Sequence, residues 1–254
     1  MKWISILIWL LFWTAMLFSQ SGPTPTETFK DGYSAFQQGD YQNAIKNYTD
    51  AIHMDPNRQY FYYNRAMAYV AQGNPELAVL DFRHANDLKP TAEAYGQLGL
   101  IEYHKGNLKE AQADFENARS LKEDIGEMNF YLGLIYFKNE SFEDGLKCFT
   151  AYTDVYKTNP EAYYYRGFCE AKLGQYEQAL VSLKFATVYK LGDWRYYMKM
   201  YDVYTALHDD QRALNNISMV IELGQRKPEF YSIRAKLYHA VGEETLAEED
   251  LQMV

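Results

Sequence analysis

The chain offers few residues able to do chemistry. Five histidines are present, His53, His84, His104, His208 and His239, and none has a second His or Cys at the spacing a zinc site requires. His208-Asp209-Asp210 has the residue types of half a catalytic set, a base beside carboxylates, but the run suits a solvated turn better. Tyr95-Gly96-Gln97-Leu98-Gly99 holds a Gly-x-x-Gly fragment inside a helical pattern, whereas a phosphate-cradling loop has to follow a strand. Carboxylate pairs such as Glu243-Glu244 read as turn charges. The two cysteines, Cys148 and Cys169, fall within helical patterns and read as small buried thiols, although an oxidising compartment permits a bridge. These residues argue against an enzyme and imply neither metal nor cofactor.

Charge narrows the partners. The formal net charge of −9 argues against nucleic acid, whose phosphates need a basic face. Residues 1–21, "MKWISILIWLLFWTAMLFSQS", differ from everything after them: Lys2 precedes an apolar run from Trp3 to Phe18. That length suits a signal peptide and falls short of the roughly 20 residues of a spanning helix. Ser19 and Ser21 place small residues where a signal peptidase cuts, while Trp3, Trp9 and Trp13 favour a bilayer interface. The segment is read as a signal peptide or an N-terminal membrane anchor. Either reading puts the rest of the chain outside the cytoplasm, in the periplasm or cell envelope.

The elements that position any site follow from a repeat. Gly39, Gly73, Gly106, Glu140, Gly174, His208 and Gly242 are separated by gaps of 34, 33, 34, 34, 34 and 34 residues. Five residues after each stands Ala44, Ala78, Ala111, Gly145, Ala179, Ala213 or Ala247. Seven before each stands Gly32, Ala66, Gly99, Gly133, Gly167, Tyr201 or Ala235, and nine after each a ring or branched aliphatic from Tyr48 to Leu251. Within a unit, apolar residues recur at i, i+4 and i+7 on two successive stretches, which predicts a helix pair. A small residue on one helix leaves room for the ring of the other. The marker between them is a left-handed cap. Thr24-Pro25-Thr26-Glu27 has the spacing of a capping box, which starts the array.

These residues resemble the tetratricopeptide repeat (TPR) family, whose pattern is matched most fully by Tyr62, Ala66, Tyr69, Gly73, Ala78, Phe82, Ala85 and Pro90. The resemblance covers residues 22–254, as seven repeats at about 25–58, 59–91, 92–125, 126–159, 160–193, 194–227 and 228–254. It implies an all-α, right-handed superhelical solenoid of antiparallel helix pairs, with the first helices lining a concave groove. Repeat four departs from the pattern at Glu140, Gly145 and Tyr152, and repeat six at Tyr201, which should hold its helix pair slightly apart.

By that resemblance, the positions beside the packing set face the groove. They are Phe29, Tyr33, Tyr63, Asn64, Met67 and Tyr103 in the first three repeats, then Phe130, Phe137, Tyr164 and Phe168 in the next two. Tyr163 belongs to the packing set, whereas Tyr164 and Tyr165 do not. In repeats six and seven the character turns polar and basic at Arg195, Lys199 and Lys236. The family's carboxylate clamp is not matched: Asn64 fits, but Phe29, Tyr33, Glu93 and Gln97 replace its other residues. The expected function is a non-enzymatic protein–protein interaction scaffold of the cell envelope. Its partner would be an extended peptide or an amphipathic helix, desolvated by the rings and set in register by the cations. The bland alternative is that the rings only pack first helix against first helix. A rival function is a structural subunit that assembles through outer faces or the C-terminal helix. A third is a helical-repeat enzyme or a glycan binder.

Overall fold

The computed structural model describes residues 22–122 and 124–254, so the predicted signal or anchor segment lies outside the described residues. Those residues form fourteen α-helices and no strand. They divide into two compact units, one ending at Lys122 and the other running on to Val254.

The first unit holds three helix pairs: α1 (Pro25–Gln37) with α2 (Tyr41–Met54), α3 (Gln59–Gln72) with α4 (Pro75–Leu88), and α5 (Ala92–Lys105) with α6 (Leu108–Leu121). It begins as its sequence predicts. Thr24 Oγ1 accepts from the Glu27 amide at 3.2 Å, and the Thr24 amide donates to Glu27 Oε2 at 2.8 Å, which closes the capping box. The small-against-large rule is equally literal. A Cβ added to Gly32 would lie 2.8 Å from Tyr48 Cδ1, and one added to Gly99 would lie 2.6 Å from Phe115 Cδ1. Only hydrogen fits at these positions, so each pair of axes closes on a fully buried ring. Burying each of Phe82 and Phe115 contributes about 1.5–3 kcal/mol to the unit.

The second unit holds four pairs: α7 (Met128–Lys138) with α8 (Phe142–Val155), α9 (Pro160–Lys172) with α10 (Tyr176–Tyr189), α11 (Trp194–Ala206) with α12 (Asp210–Glu222), and α13 (Pro228–Val241) with α14 (Glu244–Leu251). Asn159 caps α9 by accepting from the Glu161 and Ala162 amides at 3.0 and 3.2 Å, with Pro160 at the first helical position, where no amide is needed. Gly133 and Gly167 repeat the close approach against Phe149 and Leu183. Gly145, a departure from the family pattern, faces Cys169: a Cβ there would sit 3.4 Å from its Sγ, in ordinary contact. In repeat six Tyr201 is half-buried and packs against the core cluster that contains Ile217, so the large residue has moved to the first helix.

All seven repeat markers adopt positive φ, from 56° at His208 to 86° at Gly73 and Gly242, including the two that are not glycine. Each first helix then ends in the same bond, the amide after the marker donating to the carbonyl five residues back. Asn74 to Tyr69 at 2.8 Å and Asp209 to Tyr204 at 2.9 Å are examples.

Candidate functional site

In the first unit the predicted groove residues lie on α1, α3 and α5. Phe29 sits among rings: edge-on to Tyr60 at 4.9 Å, stacked on Phe61 at 5.2 Å and tilted against Tyr48 at 5.3 Å between centroids. Tyr33, one turn on, is 49% exposed. Tyr63 meets Phe82 edge-on at 5.5 Å and is half-buried, and the desolvation raises its hydroxyl pKa. Asn64 Nδ2 donates to its own helix at Tyr60 O, 2.7 Å away. Met67 packs against the cluster of Ala66, Phe82 and Leu98, and Tyr103 is half-buried on α5, edge-on to His104.

In the second unit a row of rings crosses three first helices. Phe130 on α7 packs on Tyr152 and Phe149, with centroids at 5.3 and 6.0 Å. Phe137, at the far end of α7, is edge-on to both Tyr165 and Phe168 of α9 at 4.9 Å. Tyr164 meets Phe168 at 6.1 Å and reaches Tyr196 of α11 at 5.4 Å. Burial pushes the Tyr164 hydroxyl up to about 12, so it remains a protonated donor at neutral pH. Of the thirteen predicted residues none is sealed: Tyr33 and Lys236 are exposed and the other eleven half-buried. Tyr165, together with Tyr164, which packs against the buried Tyr163, Ala186 and Tyr196, corrects the expectation that both stand outside the packing. It stacks on Phe149 at 5.6 Å with planes 15° apart, because α9 lies close enough to α8 for one ring to bridge the two repeats.

The cations differ more. Arg195 was expected to face a partner, yet its guanidinium is bound by the chain's own carboxylates. Nε and Nη2 donate to Asp193 at 2.9 and 2.6 Å, and Nη2 also reaches Glu161 Oε1 at 2.6 Å. Tyr196 Oη adds a donor to Glu161 at 3.2 Å, and Lys190 lies 3.0 Å from Asp193. The Arg195 guanidinium holds the Asp193 carboxyl far below the usual carboxylate range. Lys199 stands 3.9 Å over the Phe168 ring while donating to Asp202 at 2.6 Å, and Lys236 is exposed on α13. The polar end is therefore largely self-paired.

Sequence reasoning missed three part-buried ion pairs. Arg65 donates twice to Asp81, at 2.7 and 2.8 Å, and Arg234 twice to Asp250, at 2.7 and 2.6 Å. Arg166 meets Glu170 at 3.0 Å, and Glu170 also accepts from Ser182 Oγ at 2.6 Å. A signal existed: all three arginines stand eight residues before a marker, and the two aspartates eight after one.

The residues that hinted at chemistry are structural. His208 sits in the left-handed turn, while Asp209 caps α12 and pairs with Arg212. Both cysteines are buried, and burial pushes the Cys169 thiol up to about 12, which leaves it unreactive at neutral pH. Among the described residues no group of three or more His, Cys, Asp or Glu is placed to hold a metal ion, and no helix is long and apolar enough to cross a membrane.

With helix pairs, turn geometry and small-against-large packing in place, four overlapping segments, 29–93, 63–124, 97–146 and 130–183, match the family model of the tetratricopeptide repeat. Together they cover more than half of the chain. The chain belongs to the tetratricopeptide repeat family. It is similar to tetratricopeptide repeat protein 6 of Homo sapiens, 30% identical over 133 residues, 52% of this chain and 25% of that protein. It is also similar to DnaJ homolog subfamily C member 3 of Gallus gallus, 23% identical over 217 residues, 80% of this chain and 43% of that one. The chain thus spans from a quarter to less than half the length of these curated relatives. Among solved structures, the TPR protein YrrB, which has an unusual peptide-binding site, superposes with a TM-score of 0.64 at 23% identity, covering 70% of this chain and 92% of that one. PilF of Pseudomonas aeruginosa gives a TM-score of 0.56 at 16% identity, covering 84% and 97%. These likenesses support the all-α solenoid architecture, and TPR membership makes this protein, in general terms, a scaffold for protein–protein interaction.

Proposed function

We propose that this TPR protein is a non-enzymatic scaffold of the cell envelope whose first helices capture an apolar segment of a partner protein. The observation that carries the reading is the row Phe137, Phe168, Tyr164 and Tyr196. It runs across α7, α9 and α11 with centroid separations of 4.9, 6.1 and 5.4 Å, and its first three rings remain partly open. Rings braced edge-to-face lose little further entropy when a partner lands on them, which suits an extended peptide or one face of an amphipathic helix. Tyr33, Tyr63 and Met67 offer a second apolar stretch within the first unit. The peptide-binding site of YrrB is a precedent in the same fold. The envelope location rests on residues 1–21, with their charged start, apolar run and small residues near the end.

The test is a phage-displayed library of random 16-residue peptides panned against the full chain. The proposal expects enrichment of peptides with closely spaced aromatic or branched aliphatic residues. Phe137→Ser and Tyr33→Ser should each weaken their binders at least about tenfold while helical circular dichroism stays unchanged. Absence of enrichment, or binders indifferent to both substitutions in folded protein, would overturn the groove. Cell fractionation with the intact mass of the mature protein tests the location, and a cytoplasmic chain of full mass would refute it.

A further inference from the structure

Arg65, Arg166 and Arg234 hold the same place on their first helices, and two of the three are fully engaged. Arg65 forks Asp81 through Nε and Nη2 at 2.7 and 2.8 Å, and Arg234 forks Asp250 through the same atoms at 2.7 and 2.6 Å. Each of these guanidiniums also has two tyrosine rings beside it. Arg65 is 5.8 and 6.0 Å from the centroids of Tyr62 and Tyr69, and Arg234 is 5.7 and 5.6 Å from those of Tyr231 and Tyr238.

Arg166 keeps the place and loses two of those partners. Ser182 stands where the aspartate would be, and Glu170 stands where the second tyrosine would be. Nε now donates to Glu170 Oε1 at 3.0 Å and Nη1 to Thr153 Oγ1 at 3.0 Å, while Ser182 Oγ donates to Glu170 Oε2 at 2.6 Å. Among the described residues Nη2 is left without an acceptor. The Arg166 side chain is 27% exposed, against 17% for Arg65 and 18% for Arg234. A hollow of about 300 Å³ opens beside it between α8, α9 and α10. Its lining includes Arg166 and Ser182, the rings of Tyr163 and Phe185 stacked at 5.2 Å, and the exposed Lys157 and Asp154.

The other two arginines indicate what completes the third. At Nη2 each receives a carboxylate oxygen, the acceptor that best matches a guanidinium edge. Glu170 already neutralises Arg166 once, but an arginine of this chain takes a second carboxylate where a lysine stands by. Arg195 binds both Asp193 and Glu161, with Lys190 3.0 Å from Asp193. Lys157 is the lysine of the hollow, and Asp154 is the one carboxylate of its lining that opposes an anion. The missing neighbour of Arg166 is a ring, and the wall that remains is aromatic, so the carboxylate belongs on an aromatic body.

We propose that the hollow beside Arg166 binds a small aromatic carboxylate, which accepts from Arg166 Nη2 and lays its ring against Tyr163 and Phe185.

Saturation-transfer NMR on the full chain tests this, with phenylacetate as probe and phenylacetamide as its uncharged counterpart. Phenylacetate should bind with a dissociation constant on the order of 1 mM, as suits so small a molecule, and the amide at least about fivefold more weakly. Lys157→Gln should weaken phenylacetate about threefold and Asp154→Asn strengthen it about threefold; both side chains are exposed, so folding is spared. Ser182→Asp combined with Glu170→Tyr rebuilds the surroundings of Arg65 and should reduce binding at least about tenfold. No binding up to about 20 mM overturns the proposal, as does an amide that binds equally well. Binding indifferent to both exposed substitutions, as at an adventitious site, overturns it too, and so does a folded double variant that binds like the parent. Phe137→Ser, which disables the proposed groove, should leave phenylacetate binding unchanged, so the two proposals fail separately.

Discussion

Arg195 Nη2 donates to Glu161 Oε1 at 2.6 Å across 34 residues of sequence, one full repeat, and so ties α11 to α9. The same guanidinium lies 5.5 Å from the Tyr164 ring, with its Nε donating to Asp193 at 2.9 Å. A residue that looks in sequence like a free cation for a partner is a staple between successive repeats. Its carboxylates come from the helix behind it and from its own cap.

Removing the staple should show in stability and in acid sensitivity. Arg195→Ala is expected to cost about 1 kcal/mol at pH 7, a modest figure because Arg195 and Glu161 are each about a third exposed. The Asp193 pKa is depressed in the fold, so its contribution is complete above the ordinary carboxylate pKa near 3.8 and is lost as pH falls through the folded value. Urea melts at pH 7 and pH 3 check this: the gap between parent and variant should narrow on the acid side. A gap that is constant with pH would remove Asp193 from the account.

The two left-handed markers that are not glycine carry strain that glycine would relieve. Glu140 has φ 59° and His208 φ 56°, where Cβ crowds the backbone at a cost of about 1–2 kcal/mol. Part of that gain is offset by the larger unfolded-state entropy of glycine, so Glu140→Gly and His208→Gly should each stabilise by about 0.5–1 kcal/mol. The turns lie two repeats apart, so the effects should add, and thermal melts of the single and double variants measure this. A fall in Tm for either would mean the side chain holds the turn through a contact of its own.

Asp114 points to an opposite pH dependence within the first unit. Burial pushes its carboxyl up to about 6 from the ordinary 3.8, and Glu102 and Glu110 raise it further against the opposing pull of Arg83. A raised pKa means the folded state binds the extra proton, so stability falls as pH rises from about 4 to about 6 and stays lowered above that. Asp114→Asn keeps the shape without the charge. It should match the parent near pH 4 and exceed it by about 1 kcal/mol at pH 7, as read from urea midpoints at the two values. Equal midpoints at pH 7 would place the charge in better solvent than its burial suggests.

Much of the architecture was legible in the sequence because it depends on local rules. Gly99 and Phe115 must be sixteen residues apart for one turn to bring them into contact, and that spacing can be read without coordinates. The capping box at Thr24 and the seven left-handed markers are local in the same way. Partnership among charged residues was less legible. Nothing in the spacing of Arg195 and Lys199 says that the first would bind Glu161 one repeat away and the second would lie over Phe168. Asp81 and Asp250 could have been found, since each stands sixteen residues after its arginine, but a charge reads as solvated until burial is known.

What the sequence by itself determined is the periodic frame: helix pairs at a near-constant interval, small residues where axes close, and rings at fixed places on every first helix. Tertiary structure decided which of those places stay open, which cations are already taken, and that Arg166, unlike Arg65 and Arg234, keeps one edge of its guanidinium unpaired among the described residues. The division has a physical cause. Helix periodicity and turn chirality act over a few residues and are written in order along the chain, whereas exposure and ion pairing depend on what the neighbouring repeat brings into range.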